Sequence, residues 1–299
     1  MALCGDGCCS GGEWCGSCPG DCGACPAPPI LAGAGDICSS NGNCESTARL
    51  LDALFPPGAP DTAGKVFTAG DNAYENGSDS DYATNYDPRW GRHKARTKPS
   101  VGNHEYLTPG ATGYFNYYGA AAGDPSQGWY AYDLGVWRVY VLNSDCWNVG
   151  GCSANNPQVT WLRADLAANP RLCQVAYWHR PRFTSTGAHD DEPLMQPAWQ
   201  ALYDYGVDVV LSAHNHFYER LAPKNASGVR DDATGIRSFI VGTGGRSHHA
   251  ITSLEPDSEA HNDTTYGILK LTLNATSYTW AFIPVAGATF IDSGSTPCH

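Results

Sequence analysis

Ser212-Ala213-His214-Asn215-His216-Phe217-Tyr218 follows Val207-Asp208-Val209-Val210-Leu211, a β-branched run bounded by Gly206. Such a run reads as a buried strand. A strand ending in His-x-His is expected to set two imidazoles at its carboxyl end, on one side of the pleat. Open α/β sheets place their ligands at that end. One such pair is a weak signal, since two loop histidines look the same. Four other turns after apolar runs strengthen it: Gly35-Asp36, Gly70-Asp71-Asn72-Ala73-Tyr74, Gly102-Asn103-His104-Glu105 and Trp178-His179-Arg180-Pro181. Together they add Asp, Asp, Tyr, Asn and His, enough with the histidine pair for two metal ions.

The composition narrows the class. The chain has 299 residues, a formal net charge of -12 and 16% charged residues. Nucleic acid is not expected as a partner, because phosphate contacts need lysine and arginine. An anionic membrane surface is disfavoured for the same reason. No apolar run is long enough to span a bilayer. Thirteen cysteines point to an oxidising compartment, and an odd number leaves at least one unpaired within the chain. Seven of them lie in Cys4–Cys25. Residues 1–26 hold almost only Cys, Gly and acidic residues, too little to build an apolar core. They read as a disulfide-stapled module, with Pro26–Pro29 as a stiff linker. Cys15-x-x-Cys18 and Cys22-x-x-Cys25 also have zinc-ligand spacing, but disulfides suit the rest of the chain better. Asp6, Glu13 and Asp21 read as solvated carboxylates rather than a calcium site. Outside the module, Cys38/Cys44 and Cys146/Cys152 are near enough to close short loops, which leaves Cys173 for Cys298. Met1-Ala2-Leu3-Cys4 lacks the basic region and apolar core of an export signal. The expectation is a secreted or periplasmic protein whose signal peptide has been removed.

The main domain, residues 30–299, alternates strands and helices. Strands are expected at Ile30–Ala34, Lys65–Ala69, Cys173–Trp178, Val207–Leu211, Phe239–Val241, Ile268–Leu273 and Tyr278–Ile283. Trp129–Leu134 and Trp137–Leu142 read as a hairpin about Gly135-Val136. Helices are expected at Thr47–Phe55, with Ser46 as N-cap, at Pro157–Ala168 and at Leu194–Tyr205. Residues 75–100, polar and aromatic without a period, read as a lid-like loop. Gly242-Thr-Gly-Gly-Arg-Ser lacks the lysine of a P-loop and reads as a turn that brings backbone close to the site. His93, His248, His249 and His261 fall in no motif and read as surface residues.

In order, the turns are Gly-Asp-x, Gly-Asp-x-x-Tyr, Gly-Asn-His-Glu, Trp-His-x-Pro and x-His-x-His. With these five motifs the chain resembles the purple acid phosphatases among the calcineurin-like metallophosphoesterases, from about Ile30 onward. It looks like the short secreted bacterial type, without the N-terminal β-domain of the plant enzymes. The resemblance implies a four-layer α/β/β/α sandwich and hydrolysis of phosphate monoesters by two metal ions. It implies Fe³⁺ held by Asp36, Asp71, Tyr74 and His216. Fe²⁺, Zn²⁺ or Mn²⁺ would be held by Asp71, Asn103, His179 and His214, with Asp71 bridging. Hydroxide on the ions would be the nucleophile, and His104 the proton donor to the leaving group. Tyr74 marks the branch, since related phosphoesterases carry Asp-x-His where this chain has Asp36-Ile37-Cys38. Cys38 is then a thiolate ligand or, as the short loop favours, the disulfide partner of Cys44. His189 and Glu192 match by spacing a His and a Glu near substrate, with a solvent-facing histidine as the alternative. Glu105 would orient His104, and Asn72 would stand behind the ligands. Arg180, Arg182 and Arg246 are candidate phosphate contacts. A phosphodiesterase or nucleotidase on the same metal core, and a secreted binding protein with a structural metal site, are the alternatives.

Overall fold

The computed structural model describes residues 27–299, and the expected Cys-rich module at 1–26 lies outside them. The described strands are β1 (Ile30–Ala34), β2 (Gly64–Ala69), β3 (Thr97–Ser100), β4 (Tyr130–Leu134), β5 (Trp137–Val141), β6 (Gln174–Tyr177) and β7 (Val209–Ser212). They continue with β8 (Tyr218–Leu221), β9 (Arg237–Val241), β10 (Ser258–Asn262), β11 (Gly267–Leu273), β12 (Ser277–Pro284) and β13 (Ser293–Pro297). One mixed sheet has the order β13-β12-β11-β1-β2-β3, the other β10-β8-β9-β7-β6-β5-β4. In the first sheet β1, β2 and β3 are parallel, and in the second β5, β6, β7 and β9 are parallel.

Alternation along the parallel strands divides the apolar residues between two cores. Val139, Val175, Val209, Leu211 and Phe239 pack in one core with Leu31, Phe67 and Leu271 of the first sheet. The Phe67 and Tyr177 rings meet there, 5.6 Å between centroids. Tyr140, Ala176, Val210 and Ile240 point the other way. They pack on α3 (Pro157–Ala168) and α4 (Gln196–Asp204) through Leu162, Leu166, Trp199 and Leu202. Burial on both faces explains the unbroken Val209-Val210-Leu211 run. Each such side chain contributes about 1.5–3 kcal/mol when fully buried.

Some expectations change. The helix α1 spans Cys44–Leu54 rather than starting at Thr47, and Ser46 is not its cap. Its start is tethered instead, by the Cys38–Cys44 disulfide and by the Thr47 hydroxyl, which donates to the Gly244 carbonyl at 2.6 Å. Residues 75–100 are not a lid. They form short helical turns at Asp79–Asp81, Tyr82–Tyr86 and Trp90–Arg96, and end in β3. Buried Tyr82, Tyr86 and Trp90 hold them down, and Tyr82 stacks on Tyr117 of α2 (Thr112–Tyr118) at 4.7 Å. Aromatic packing in irregular turns leaves no period to read. The strands β3, β8, β10 and β13 were not expected. At the sheet edges, β10 and β13 are polar and half-exposed, and β3 carries Pro99, which an edge tolerates. Disulfides join Cys38 to Cys44, Cys146 to Cys152 and Cys173 to Cys298. They suit an oxidising compartment. Among the described residues no helix is long and apolar enough to cross a membrane.

The parallel strands of both sheets deliver their following loops to one place. The Gly35 N–H donates to the Val241 carbonyl at 2.9 Å, and the Gly244 N–H to the Gly35 carbonyl at 3.0 Å. The Asp36 N–H reaches the Gly70 carbonyl at 3.2 Å, and the Ala213 N–H the His179 carbonyl at 2.9 Å. The first two bonds cross from one sheet to the other, between the loops after β1 and β9, and the last two tie neighbouring loops within a sheet, β1 to β2 and β7 to β6.

Candidate metal centre

Asp36 follows β1, Asp71 and Tyr74 follow β2, and His216 follows β7. The Tyr74 hydroxyl lies 2.8 Å from Asp36 Oδ1, 3.1 Å from Asp71 Oδ2 and 3.4 Å from His216 Nε2. His216 Nε2 is 3.3 Å from Asp36 Oδ1. All four side chains are buried. A phenol has one proton, so it satisfies only one of the two carboxylates. The remaining contact sets oxygen lone pairs against each other and calls for a cation. Burial, Asp36 and Asp71 all push the Tyr74 pKa well above 10, so without a cation the ring keeps its proton.

The second group shares Asp71. His179 Nε2 lies 3.2 Å from Asp71 Oδ2, 3.1 Å from Asn103 Oδ1 and 3.1 Å from His214 Nδ1. Asp71, His179 and His214 have the spacing of a metal-binding cluster. The free ring nitrogens are fixed by backbone. His179 Nδ1 faces the Ala69 carbonyl at 2.8 Å, and His216 Nδ1 the Ser247 carbonyl at 2.6 Å. Each ring therefore turns the lone pair of Nε2 inward, as a metal ligand requires. Burial alone disfavours a charged ring at His179, but Asp71 beside it, with Asp36 and Asp145, lifts its pKa to about 9. His214 goes the other way: burial, His179 and Arg180 hold it well below 6.5. The donor set of both groups fits two cations.

The loops pay for this convergence in backbone conformation. Asp36, Asp71 and His214 have φ of 56°, 48° and 69°. Left-handed non-glycine residues cost of order 1–3 kcal/mol and gather at functional sites. His214 and His216 lie beyond the end of β7, where strand alternation no longer places them, and the left-handed backbone at His214 turns the chain there. One ring joins each group instead. Contrary to expectation, Glu105 does not orient His104. It is fully buried and accepts from the N–H of Asp71 at 3.0 Å, Asn72 at 2.7 Å and Gly102 at 2.8 Å, and from the Tyr82 hydroxyl at 3.2 Å. It holds the Asp71 turn, with Asn72 buried behind it and donating to the Ser100 carbonyl at 3.1 Å.

A cavity of about 220 Å³ opens over both groups, walled by His104, His189, Arg246 and His249. His104 Nδ1 meets the Glu75 carbonyl at 2.5 Å, and its Nε2 is 3.8 Å from Asp71 Oδ2. His189 stacks on His214 at 3.7 Å. His249, expected at the surface, stacks on His216 at 3.7 Å, and its Nδ1 accepts the His216 N–H at 3.2 Å. His248 is half-buried and stacks on Tyr266 at 4.0 Å. His93 is buried and meets Asp52 at 2.8 Å, while His261 is exposed as expected. Glu192 does not line the cavity; its carboxylate accepts from the Leu194 N–H at 3.0 Å and caps a helical turn. Arg182 turns away to Gln196. Arg180 lies between Asp145, at 3.1 Å, and His214 Nε2, at 3.0 Å. Asp145 was not expected; it falls in none of the five motifs, and only its pairing with Arg180 in the structure singles it out. His249 could have been found by following the Gly242–Ser247 turn two residues further.

The calcineurin-like phosphoesterase profile matches residues 21–218, about two thirds of the chain. The chain belongs to the calcineurin-like phosphoesterase family. Probable inactive purple acid phosphatase 1 of Arabidopsis thaliana is 25% identical over 244 residues, 69% of this chain and 38% of the relative. The chain thus spans little more than a third of that curated relative. The purple acid phosphatase PPD1 from yellow lupin (Lupinus luteus) seeds has the same fold, with a TM-score of 0.72 at 16% identity, over 91% of this chain and 54% of that one. GAP50, the anchor in the inner membrane complex of Plasmodium, has it too, with a TM-score of 0.68 at 13% identity over 92% and 90%.

Two outcomes follow for this centre. In Glu105→Gln an amide N–H₂ faces backbone donors. The variant should lose about 1–3 kcal/mol for each donor left without an acceptor, and bind metal roughly 10- to 100-fold more weakly. Thermal unfolding and metal titration measure both, and unchanged values would contradict the role of Glu105 in holding the Asp71 turn. The second outcome concerns pH. Below about 9 the ion-free His179 carries a proton that an ion must displace. Zinc affinity at this group should therefore rise roughly tenfold per pH unit from pH 6 to 8 and level off above about 9. A flat profile by competition titration would show that His179 is not a ligand.

Proposed function

We propose that this phosphoesterase hydrolyses phosphate monoesters at a centre of two metal ions. Asp36, Asp71, Tyr74 and His216 would hold Fe³⁺, and Asp71, Asn103, His179 and His214 would hold Fe²⁺, Zn²⁺ or Mn²⁺. The observation that carries the reading is the place of Asp71 Oδ2, 3.1 Å from the Tyr74 hydroxyl and 3.2 Å from His179 Nε2. One carboxylate oxygen thus belongs to both donor sets. A phenol buried beside two carboxylates ionises only for a strong Lewis acid, which favours Fe³⁺ at Tyr74. The neutral Asn103, His179 and His214 suit a divalent ion. When bound, the ions supply Lewis acidity and a water acidic enough to act as the nucleophile.

The chain's own residues do the rest. The Glu75 carbonyl holds His104 Nδ1–H, so Nε2 faces the cavity, and in the imidazolium form the proton on Nε2 can pass to the leaving oxygen. His189 is held against His214 by its own N–H, which donates to Asn215 Oδ1 at 3.1 Å. From there its ring reaches a phosphate oxygen. Glu219 supports that loop by accepting from the Ser185 N–H at 2.8 Å. The paired cysteines fit secretion into an oxidising compartment, and the substrate is a small phosphate ester.

A proton donor matters most when the leaving group is poor. His104→Gln should cut turnover of an alkyl phosphate roughly 100- to 10,000-fold. It should spare most of the turnover of 2,4-dinitrophenyl phosphate, whose phenolate leaves unaided. Equal losses on both esters would remove His104 from this role. A wild type that prefers bis-p-nitrophenyl phosphate to the monoester would be a diesterase. One that hydrolyses no ester would overturn the phosphatase reading and favour a binding protein, as GAP50, an anchor, has the same fold.

A further inference from the structure

The walls of the cavity are not equivalent. Arg246 is the one lysine or arginine among the described residues that line it. Its backbone N–H donates to the Asp36 carbonyl at 2.9 Å, which fixes the loop after β9 to the centre. Its guanidinium lies 4.8 Å from the Tyr74 ring centroid. His104 flanks the same ring, 4.5 Å between centroids. Arg246 and His104 therefore both border the Tyr74 ring in the cavity wall, which sets Arg246 near the residue proposed to protonate the leaving group. His249 adds a donor nearby. Its Nδ1 accepts the His216 N–H, so its ring proton sits on Nε2.

Arg246 is paired with Glu75, at 2.8 Å through Nη1 and 2.9 Å through Nη2. This fork is the geometry with which arginine also binds a phosphoryl group. The Glu75 side chain is 54% exposed, against 29% for Arg246. Such an open pair contributes little, and a doubly charged phosphoryl group can take the place of Glu75. The ions that the two donor sets would hold could take a single reacting phosphoryl group without this arginine. A second one, attached through the leaving oxygen, would meet it.

We propose that Arg246, flanked by His249, is a second anion subsite that takes the leaving phosphoryl group of a diphosphate. This rests on the phosphatase reading and narrows it to substrates with a phosphoanhydride bond, such as nucleoside diphosphates or pyrophosphate. Water adds to the terminal phosphorus, the P–O–P link breaks, and the bridging oxygen leaves with the phosphoryl group on Arg246. Arg246 offsets its charge while His104 Nε2–H supplies a proton where one is needed.

The test is calorimetric binding of two non-hydrolysable probes, methylenediphosphonate and methylphosphonate, to the metal-loaded protein. Wild type should prefer the diphosphonate. Arg246→Gln should weaken the diphosphonate roughly 10- to 100-fold, the loss of one charge-assisted pair, and change methylphosphonate far less. Glu75→Gln, which frees Arg246, should tighten the diphosphonate several-fold, an effect no folding defect produces. If Arg246→Gln weakens both probes alike or neither, or Glu75→Gln changes nothing, the subsite is overturned while the phosphatase reading stands. If wild type binds neither probe, the phosphatase reading falls and takes the subsite with it.

Discussion

Two buried carboxylates share the single proton of one phenol. Asp36 and Asp71 both face the Tyr74 hydroxyl, and among the described residues no lysine or arginine pairs with either. Removing a carboxylate from water costs several kcal/mol unless charge of the other sign compensates. Burial would raise the pKa of both, yet the histidines around them hold them low. The rest of the architecture serves this arrangement. Two sheets bring their parallel strand ends together, three residues of the cluster adopt left-handed backbone, and Glu105 gathers the N–H groups of the Asp71 turn. A protein built only for stability would replace the cluster with apolar packing, as buried ion pairs often allow.

The sequence revealed the parts of this design that are local. Asp36, Asp71, His179 and the 214–216 pair each follow a short apolar strand and were legible from the chain alone, whereas Asn103, after the polar edge strand β3, was marked only by the Gly102-Asn103-His104-Glu105 motif. The strands of the parallel cores were legible because burial on both faces leaves a run such as Val209-Val210-Leu211. What escaped depends on partners far away in the chain. Glu105 stands beside His104 in sequence, yet its carboxylate turns to Asp71 and Asn72. His249 looked like a surface residue because its partner, His216, is 33 positions earlier. The Tyr82–Trp90 turns looked like a loop because aromatic rings packed in irregular backbone carry no period. The edge strands β10 and β13 are too polar to show apolar alternation.

Cys38 illustrates how one position constrains another. Its sulfur is committed to Cys44, and the bridge sets where α1 begins. The turn that carries Cys38 bonds to the Asp71 turn, with the Cys38 N–H donating to the Asn72 carbonyl at 3.0 Å and the Tyr74 N–H to the Cys38 carbonyl at 2.8 Å. Closing this loop by a disulfide thus also steadies the backbone that aims Tyr74. As a ligand, Tyr74 would supply the oxygen that distinguishes the two donor sets, one hard and anionic, the other largely neutral.

The claim that these donor sets hold two different ions is tested most directly by a visible absorption spectrum of the purified protein, with metal analysis of the same sample. A ferric ion bound by Tyr74 predicts a broad band in the green-to-yellow region that disappears in Tyr74→Phe, and two metal ions per chain. A colourless protein that takes up no metal on reconstitution, and whose spectrum is the same in Tyr74→Phe, would contradict it.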